Sequence, residues 1–91
     1  MEQQETNSGI DAAIIALRAL GWTLDDSRRA DRLLALTGLS PAELRGRLGD
    51  IELLAAVLRF LEAHEPDLVA CAAALEVQPG QLVEARRRLE A

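Results

Sequence analysis

Apolar residues recur at helical intervals along the chain, and polar caps, glycines and prolines separate the apolar runs. The first run predicts a helix from about Gly9 to Leu20. Its expected inward face consists of Ile10, Ala13, Ile14, Leu17 and Leu20. Ser8 is the expected N-cap, and residues 1–8 form a flexible N-terminal tail in this prediction. Gly21 is the expected left-handed stop, which places Trp22 in a short connection.

The next two helices are predicted from their caps. Asp25 and Asp26 offer a cap for a second helix that ends at Gly38. Its expected inward residues are Ala30, Leu33, Leu34 and Thr37. Ser40, Pro41 and Glu43 then form the pattern of a capping box with proline at the first helical position. This third helix is short and is expected to end by Leu48, before Gly49.

The fourth helix, from Ile51 to about Ala63 with Asp50 as its cap, is apolar around most of its circumference. Only Glu52, Arg59 and Glu62 form a polar stripe when the residues are placed at helical steps. A helix with such wide apolar coverage needs several neighbours. It is therefore predicted to be the centre of the bundle, and an oligomer interface is the competing use of its apolar surface.

Two prolines open the remaining helices. Pro66 suits the first turn of a fifth helix that runs to about Leu75, and Pro79 opens a sixth. The whole pattern predicts an all-α fold, a compact bundle of five to six short helices in one domain over residues 9–91.

Two parts of the chain also show the pattern of an internal duplication. Ile10 and the segment 17–20 align with Ile51 and the segment 58–61 at a shift of 41 residues. Leu39-Ser40-Pro41 aligns with Val77-Gln78-Pro79 at a shift of 38 residues. If the match is structural, the fold consists of two similar three-helix halves.

Composition supports the helical prediction and narrows the function. The chain has 91 residues, of which 49% are hydrophobic and only 2% aromatic, a balance that favours helices over strands. No apolar run reaches the length of a membrane span, and the N-terminal residues lack the pattern of a signal peptide, so a cytoplasmic protein without membrane contact is expected. The net charge of −5 argues against a protein that coats nucleic acid.

Candidate catalytic chemistry is sparse. His64 is the single histidine and falls at a chain reversal, and Cys71 is the single cysteine and falls in an apolar run that suggests an inert, buried thiol. These two residues cannot supply a zinc site or an internal disulfide within one chain. The sequence also lacks a glycine-rich phosphate loop and a nucleophile elbow. It therefore predicts no enzyme, no metal and no cofactor.

Two binding functions remain open. The first is an interaction module that binds an unknown protein or its own copy as a homodimer through the fourth helix. Its candidate partner-binding residues are Trp22, Leu53 and Phe60. A lone tryptophan in a short connection suits a partner anchor, although packing over the end of the core is the competing role.

The second is a helix-turn-helix protein that binds nucleic acid, because Leu36 to Leu44 has the pattern of such a turn and Ala74 to Arg88 has a similar one. The residues that would face phosphates or bases are Arg45, Arg47, Arg86, Arg87 and Arg88. The first reading helix is short, and compact helical bundles contain similar turns without binding DNA. The sequence favours the interaction module.

Several segments share the pattern of a known family. They are Ala16 to Trp22, Leu36 to Leu39, Leu44-Arg45 and Leu54 to Leu61, followed by Glu65 and Pro79. With these segments the chain resembles a family of short bacterial proteins of unknown function. The resemblance implies a helical fold and no known activity, cofactor or catalytic residue. One departure is Glu76, where the family is expected to carry a glycine that ends the fifth helix, and this departure puts the turn geometry there in question.

Overall fold

The computed structural model describes the backbone of residues 2–91 and the side chains of residues 11–91. Six helices and no strand occupy this part of the chain. They are α1 (Glu2–Leu24), α2 (Ser27–Thr37), α3 (Pro41–Arg45), α4 (Ile51–Glu62), α5 (Glu65–Leu75) and α6 (Pro79–Glu90). The radius of gyration of 12.7 Å is close to the roughly 12 Å expected of a compact domain of this length. The predicted all-α bundle is confirmed.

The first helix differs from its predicted bounds at both ends. It begins at Glu2 rather than Gly9, and the cap expected from Ser8 lies outside the described side chains. At the other end Gly21 does not stop the helix, which continues to Leu24. The reason is tertiary: Thr23 is fully buried and its hydroxyl donates to the carbonyl of Ala19 at 2.9 Å. Burial of this additional turn outweighs the local tendency of glycine to end a helix, so Trp22 lies on α1 and not in a connection.

The buried face of α1 is also different from the predicted one. Ile14 and Leu17 were expected in the core, but 52% and 43% of their surfaces are exposed. The buried residues are Ala12, Ala16, Ala19, Leu20 and Thr23. α1 packs against α6, α4, α2 and α5, and small side chains on the facing side allow helices to approach closely. A prediction based on the size of apolar residues was therefore wrong for Ile14 and Leu17 and right for Leu20, whereas Ile10 lies outside the described side chains.

The start of α2 and the connection from α2 to α3 form as their residues predict. The side chain of Asp26 accepts from the backbone N–H groups of Arg28 and Arg29 at 2.8 and 3.1 Å. Gly38 closes α2 in the left-handed conformation, with φ of 73°. Ser40 and Glu43 form the reciprocal capping box. α3 ends at Arg45, slightly earlier than expected.

The fourth helix is central, as predicted. Its buried residues are Leu53, Leu54, Ala55, Val57, Leu58 and Leu61, and it contacts α1, α2, α5 and α6. Leu54, Leu58 and Leu61 belong to one hydrophobic cluster, Leu53 and Val57 belong to a second, and Phe60 packs against both. None of the described helices is both long and apolar enough to cross a lipid bilayer.

The turn from α5 to α6 keeps the geometry of the turn from α2 to α3, despite the missing glycine. Glu76 ends α5 with φ of 61°, and it is the one non-glycine residue with positive φ in the described chain. The side chain of Gln81 accepts from the N–H of Gln78 at 2.7 Å, as that of Glu43 does from Ser40 at 2.9 Å. The two turns therefore correspond at the predicted shift. The halves differ in length, since α3 has 5 residues and α6 has 12, and their superposition stays a prediction.

Candidate interaction surface

The two aromatic residues predicted to bind a partner lie under arginines of α2. The Cζ atom of Arg29 is 3.6 Å from the centroid of the Trp22 ring, and that of Arg32 is 5.3 Å from the centroid of the Phe60 ring. Both rings are partly buried and pack against the hydrophobic clusters. Cation–π contacts of this kind fasten α2 to its neighbours. The aromatic residues therefore have a clear role inside the fold.

Further arginine contacts join the same helices. Arg29 donates to the carbonyl of Trp22 at 2.6 Å, and Arg32 forms an ion pair with Asp67 of α5. Arg18 of α1 donates to the carbonyl of Leu75, the last residue of α5, at 3.1 Å. The arginines thus link α1 and α2 to α5.

Leu53, the third candidate partner residue, is only 6% exposed and belongs to the second hydrophobic cluster. The apolar surface of α4, on which the predicted homodimer depended, is largely covered within the chain. Partner binding by Trp22, Leu53 and Phe60 stays a prediction. These residues offer a partner little free surface.

The two candidate reactive side chains, Cys71 within α5 and His64 at its N-cap, have different environments. Cys71 is fully buried, and this desolvation raises its pKa to about 11, although Arg29 and Arg18 act in the opposite direction. Such a thiol holds its proton and is a poor nucleophile. His64 lies just before α5, and its Nδ1 atom is 3.9 Å from Oδ2 of Asp67. Among the described residues, no three histidine, cysteine or acidic side chains cluster as metal ligands would.

The arginines of the nucleic-acid alternative occupy two separate places. Arg45 and Arg47 are exposed at the end of α3 and just beyond it. A helix of 5 residues is about 7.5 Å long, which is short for a major groove about 12 Å wide. A recognition helix of ordinary length is therefore missing after this turn.

The C-terminal arginines are largely engaged by acidic neighbours. Arg86 contacts Glu62 at 2.6 Å and Glu90 at 2.7 Å, and these hydrogen bonds raise its pKa. Arg88 contacts Glu84 at 3.3 Å, whereas Arg87 is exposed. The adjacent carboxylates reduce the positive potential that a phosphate backbone would meet.

An exposed apolar surface on α1 was not predicted from the sequence. We call it the α1 apolar face and define it as Ile14, Leu17, Gly21 and Leu24. Its three large side chains are all exposed. At helical steps the four positions lie within about 80° of one another, and their centre is roughly 140° from that of the buried face. Their alternating spacing of three and four residues is the seam pattern of a coiled coil, and this signal was available in the sequence.

Six helices around a core of leucine and alanine define a small all-helical bundle. The chain belongs to the family described as protein of unknown function (DUF3572), whose profile matches residues 10–91. The resemblance to a family of unknown function is thus confirmed. No curated protein and no solved structure matches the chain.

Proposed function

We propose that this chain is a non-enzymatic protein-interaction module that binds a protein partner through the α1 apolar face. One observation carries the proposal: Ile14 and Leu17 are 52% and 43% exposed on the same side of the helix as Leu24. An apolar stripe of this spacing is what a helix presents to a partner helix.

The cost of exposing these side chains supports the proposal. Fully burying a leucine or isoleucine contributes about 1.5–3 kcal/mol relative to leaving it in water. Single exposed apolar residues are ordinary on protein surfaces, and Leu36 on α2 is one of them. The α1 apolar face is different because its three large side chains follow one another over about 15 Å of one helix.

Gly21 provides a second argument. It lies inside α1, and a Cβ atom added there would meet nothing within 4 Å. A glycine in a helix interior costs about 1 kcal/mol relative to alanine, and no close contact within the fold requires it. A partner that approaches the helix backbone between Leu17 and Leu24 supplies a reason for the missing side chain.

We also infer that the chain is not an enzyme and that it is cytoplasmic. The thiol of Cys71 is buried and protonated, so it is a poor nucleophile. A free cysteine also suits a reducing compartment. Nucleic-acid binding is not proposed, because the short α3 and the paired arginines of α6 give it no geometric support.

Site-specific photo-crosslinking tests the proposed surface. A benzophenone side chain is placed at Leu17 in the full chain, and a matched control carries it at Leu36, which is 65% exposed on α2. The chains are irradiated in cells and the adducts are separated by mass. We expect a discrete protein adduct from position 17 and none of that mass from position 36. A chain with no adduct from position 17 would overturn the proposal.

A further inference from the structure

We propose that the partner is a second copy of this chain, which docks antiparallel on the α1 apolar face about a twofold axis. This inference rests on the proposed function and adds the identity and orientation of the partner. It is argued from two observations: the order of charges beside the α1 apolar face, and the difference between the two halves of the fold.

The charges beside the α1 apolar face are self-complementary. Asp11 and Arg18 are both exposed, have opposite signs and lie two helical turns apart on the same flank. An antiparallel twofold arrangement brings Asp11 of each copy opposite Arg18 of the second copy. Arg18 donates one hydrogen bond to the carbonyl of Leu75, which holds it on this flank and leaves other guanidinium donors for a carboxylate.

The apolar side chains fit the same arrangement. With that pairing, Ile14 of each copy packs beside Leu17 of the second copy, close to the axis. Antiparallel helices whose apolar residues are spaced alternately by three and four bury those residues in layers, each of which contains one residue from either helix. The Ile14–Leu17 contacts and the Asp11–Arg18 pairs thus occur in one register, which favours self-association over a partner of unrelated sequence. Gly21 and Leu24 lie farther from the axis and outside these contacts.

A comparison of the two halves shows what the α1 apolar face lacks. Leu58 occupies in α4 the position that corresponds to Leu17 in α1 at the shift of 41 residues, and it is fully buried. α6, with 12 residues, packs on α4, whereas the corresponding α3 has only 5 residues. The first half therefore lacks a long third helix. In the proposed dimer, α1 of the second copy covers Leu17 instead.

The molar mass of the purified chain tests self-association. Light scattering behind gel filtration should give about twice 9.9 kDa at micromolar concentrations. Leu17→Glu should shift the mass to that of one chain, because it places a charge in the seam. The matched control Leu36→Glu introduces the same charge on α2 and should leave the mass unchanged. Circular dichroism of each variant checks that it stays helical.

A charge exchange tests the orientation. In the dimer of Asp11→Arg, the arginine at position 11 of each copy faces Arg18 of the second copy. In the dimer of Arg18→Asp, the aspartate at position 18 faces Asp11 of the second copy. Each variant should self-associate about tenfold more weakly or worse. An equimolar mixture should recover the dimer, because each pair of opposed charges is then attractive. Arg18→Gln keeps a donor for the Leu75 carbonyl and should also weaken self-association, which keeps the test decisive if the aspartate variant unfolds.

The outcomes separate the inference from the proposed function. A wild-type chain that stays at 9.9 kDa up to about 100 µM would overturn the dimer. So would a dimer that survives Leu17→Glu, or single-charge variants that do not recover when mixed. If the position-17 adduct then contains a different protein, the proposed function stands without the dimer. If no adduct forms, both are wrong.

Discussion

The guanidinium of Arg29 lies over the ring of Trp22, with its Cζ atom 3.6 Å from the ring centroid, and it also donates to the backbone carbonyl of that tryptophan at 2.6 Å. One side chain of α2 thus holds both the ring and the backbone of a residue near the end of α1. This double contact makes Trp22 part of the fold.

Arg29→Lys should destabilise the chain by about 1 kcal/mol, because lysine keeps the charge but loses the planar group that stacks on the ring. Urea unfolding followed by the fluorescence of the single tryptophan measures the change. Arg28→Lys is the matched control and should stay within about 0.5 kcal/mol of wild type, since it is an exposed surface substitution. Equal effects from the two variants would contradict the stacking argument.

Trp22→Ala separates packing from partner binding. We expect a loss of stability of about 2–3 kcal/mol, somewhat below the usual value for a buried aromatic residue because Trp22 is only partly buried. Thermal unfolding followed by circular dichroism measures it. The molar mass of the still-folded variant should not change. A variant that keeps its stability but loses self-association would make Trp22 the partner anchor after all.

Glu76→Gly should stabilise the chain by about 1 kcal/mol, because Glu76 has φ of 61° and glycine adopts this conformation without steric cost. Gly38→Ala at the corresponding turn should destabilise it by a similar amount. Glu76→Ala is the control, because it removes the carboxylate and retains the backbone strain. If alanine stabilised as much as glycine, the side chain and not the backbone would be responsible.

Cys71 should react slowly with a disulfide reagent while the chain is folded. Burial raises its pKa from 9.0 to about 11, which by itself lowers the thiolate fraction near neutral pH about 100-fold. The absorbance of released thionitrobenzoate, before and after unfolding in guanidinium, measures the rate. The control Cys71→Ala/Ala73→Cys moves the thiol two residues to an exposed position and should react rapidly without denaturant.

The same pKa fixes the sign of an alkaline effect. The thiol is protonated more strongly in the folded chain than in the unfolded chain, so its contribution to stability is complete below pH 9.0 and is lost as the pH rises towards about 11. Cys71→Ala should therefore show a smaller loss of melting temperature over this interval than wild type.

The stability of the chain should fall at acidic pH partly because of Glu90. Its burial acts to raise the pKa, but Arg86 and Arg59 outweigh this effect and lower it below 4.5. A lowered pKa contributes stability that is present above the ordinary value and lost as pH falls through the folded one. Between about pH 6 and about pH 3, the melting temperature of Glu90→Gln should therefore change less than that of wild type. Glu84→Gln, at an exposed ion pair, is the control.

Local sequence signals predicted the turns and the later helices well. The capping box of Ser40 and Glu43 and the cap at Asp50 are present. These interactions involve residues within one helical turn, so the sequence displays both partners at once. The first helix was predicted less well, because the sequence cannot show that burial of Thr23 carries the helix past Gly21.

The candidate surface illustrates the same limit. Trp22 and Phe60 were chosen because large aromatic residues often bind partners, but the arginines that cover them come from α2. The spacing of Ile14, Leu17 and Leu24 was visible in the sequence. Its exposure was not, because an apolar stripe looks the same whether it faces the core or the solvent.

Short helices with defined caps, turns and a leucine-rich fourth helix could be predicted before any tertiary contact was known, because those features follow from helical periodicity and from contacts within a few residues. Which face of α1 is buried depends instead on contacts between helices that are distant in the sequence. Alanines at positions 12, 16 and 19 fill that face, and close packing of helices selects the surface that fits its neighbours over the one with the larger apolar side chains.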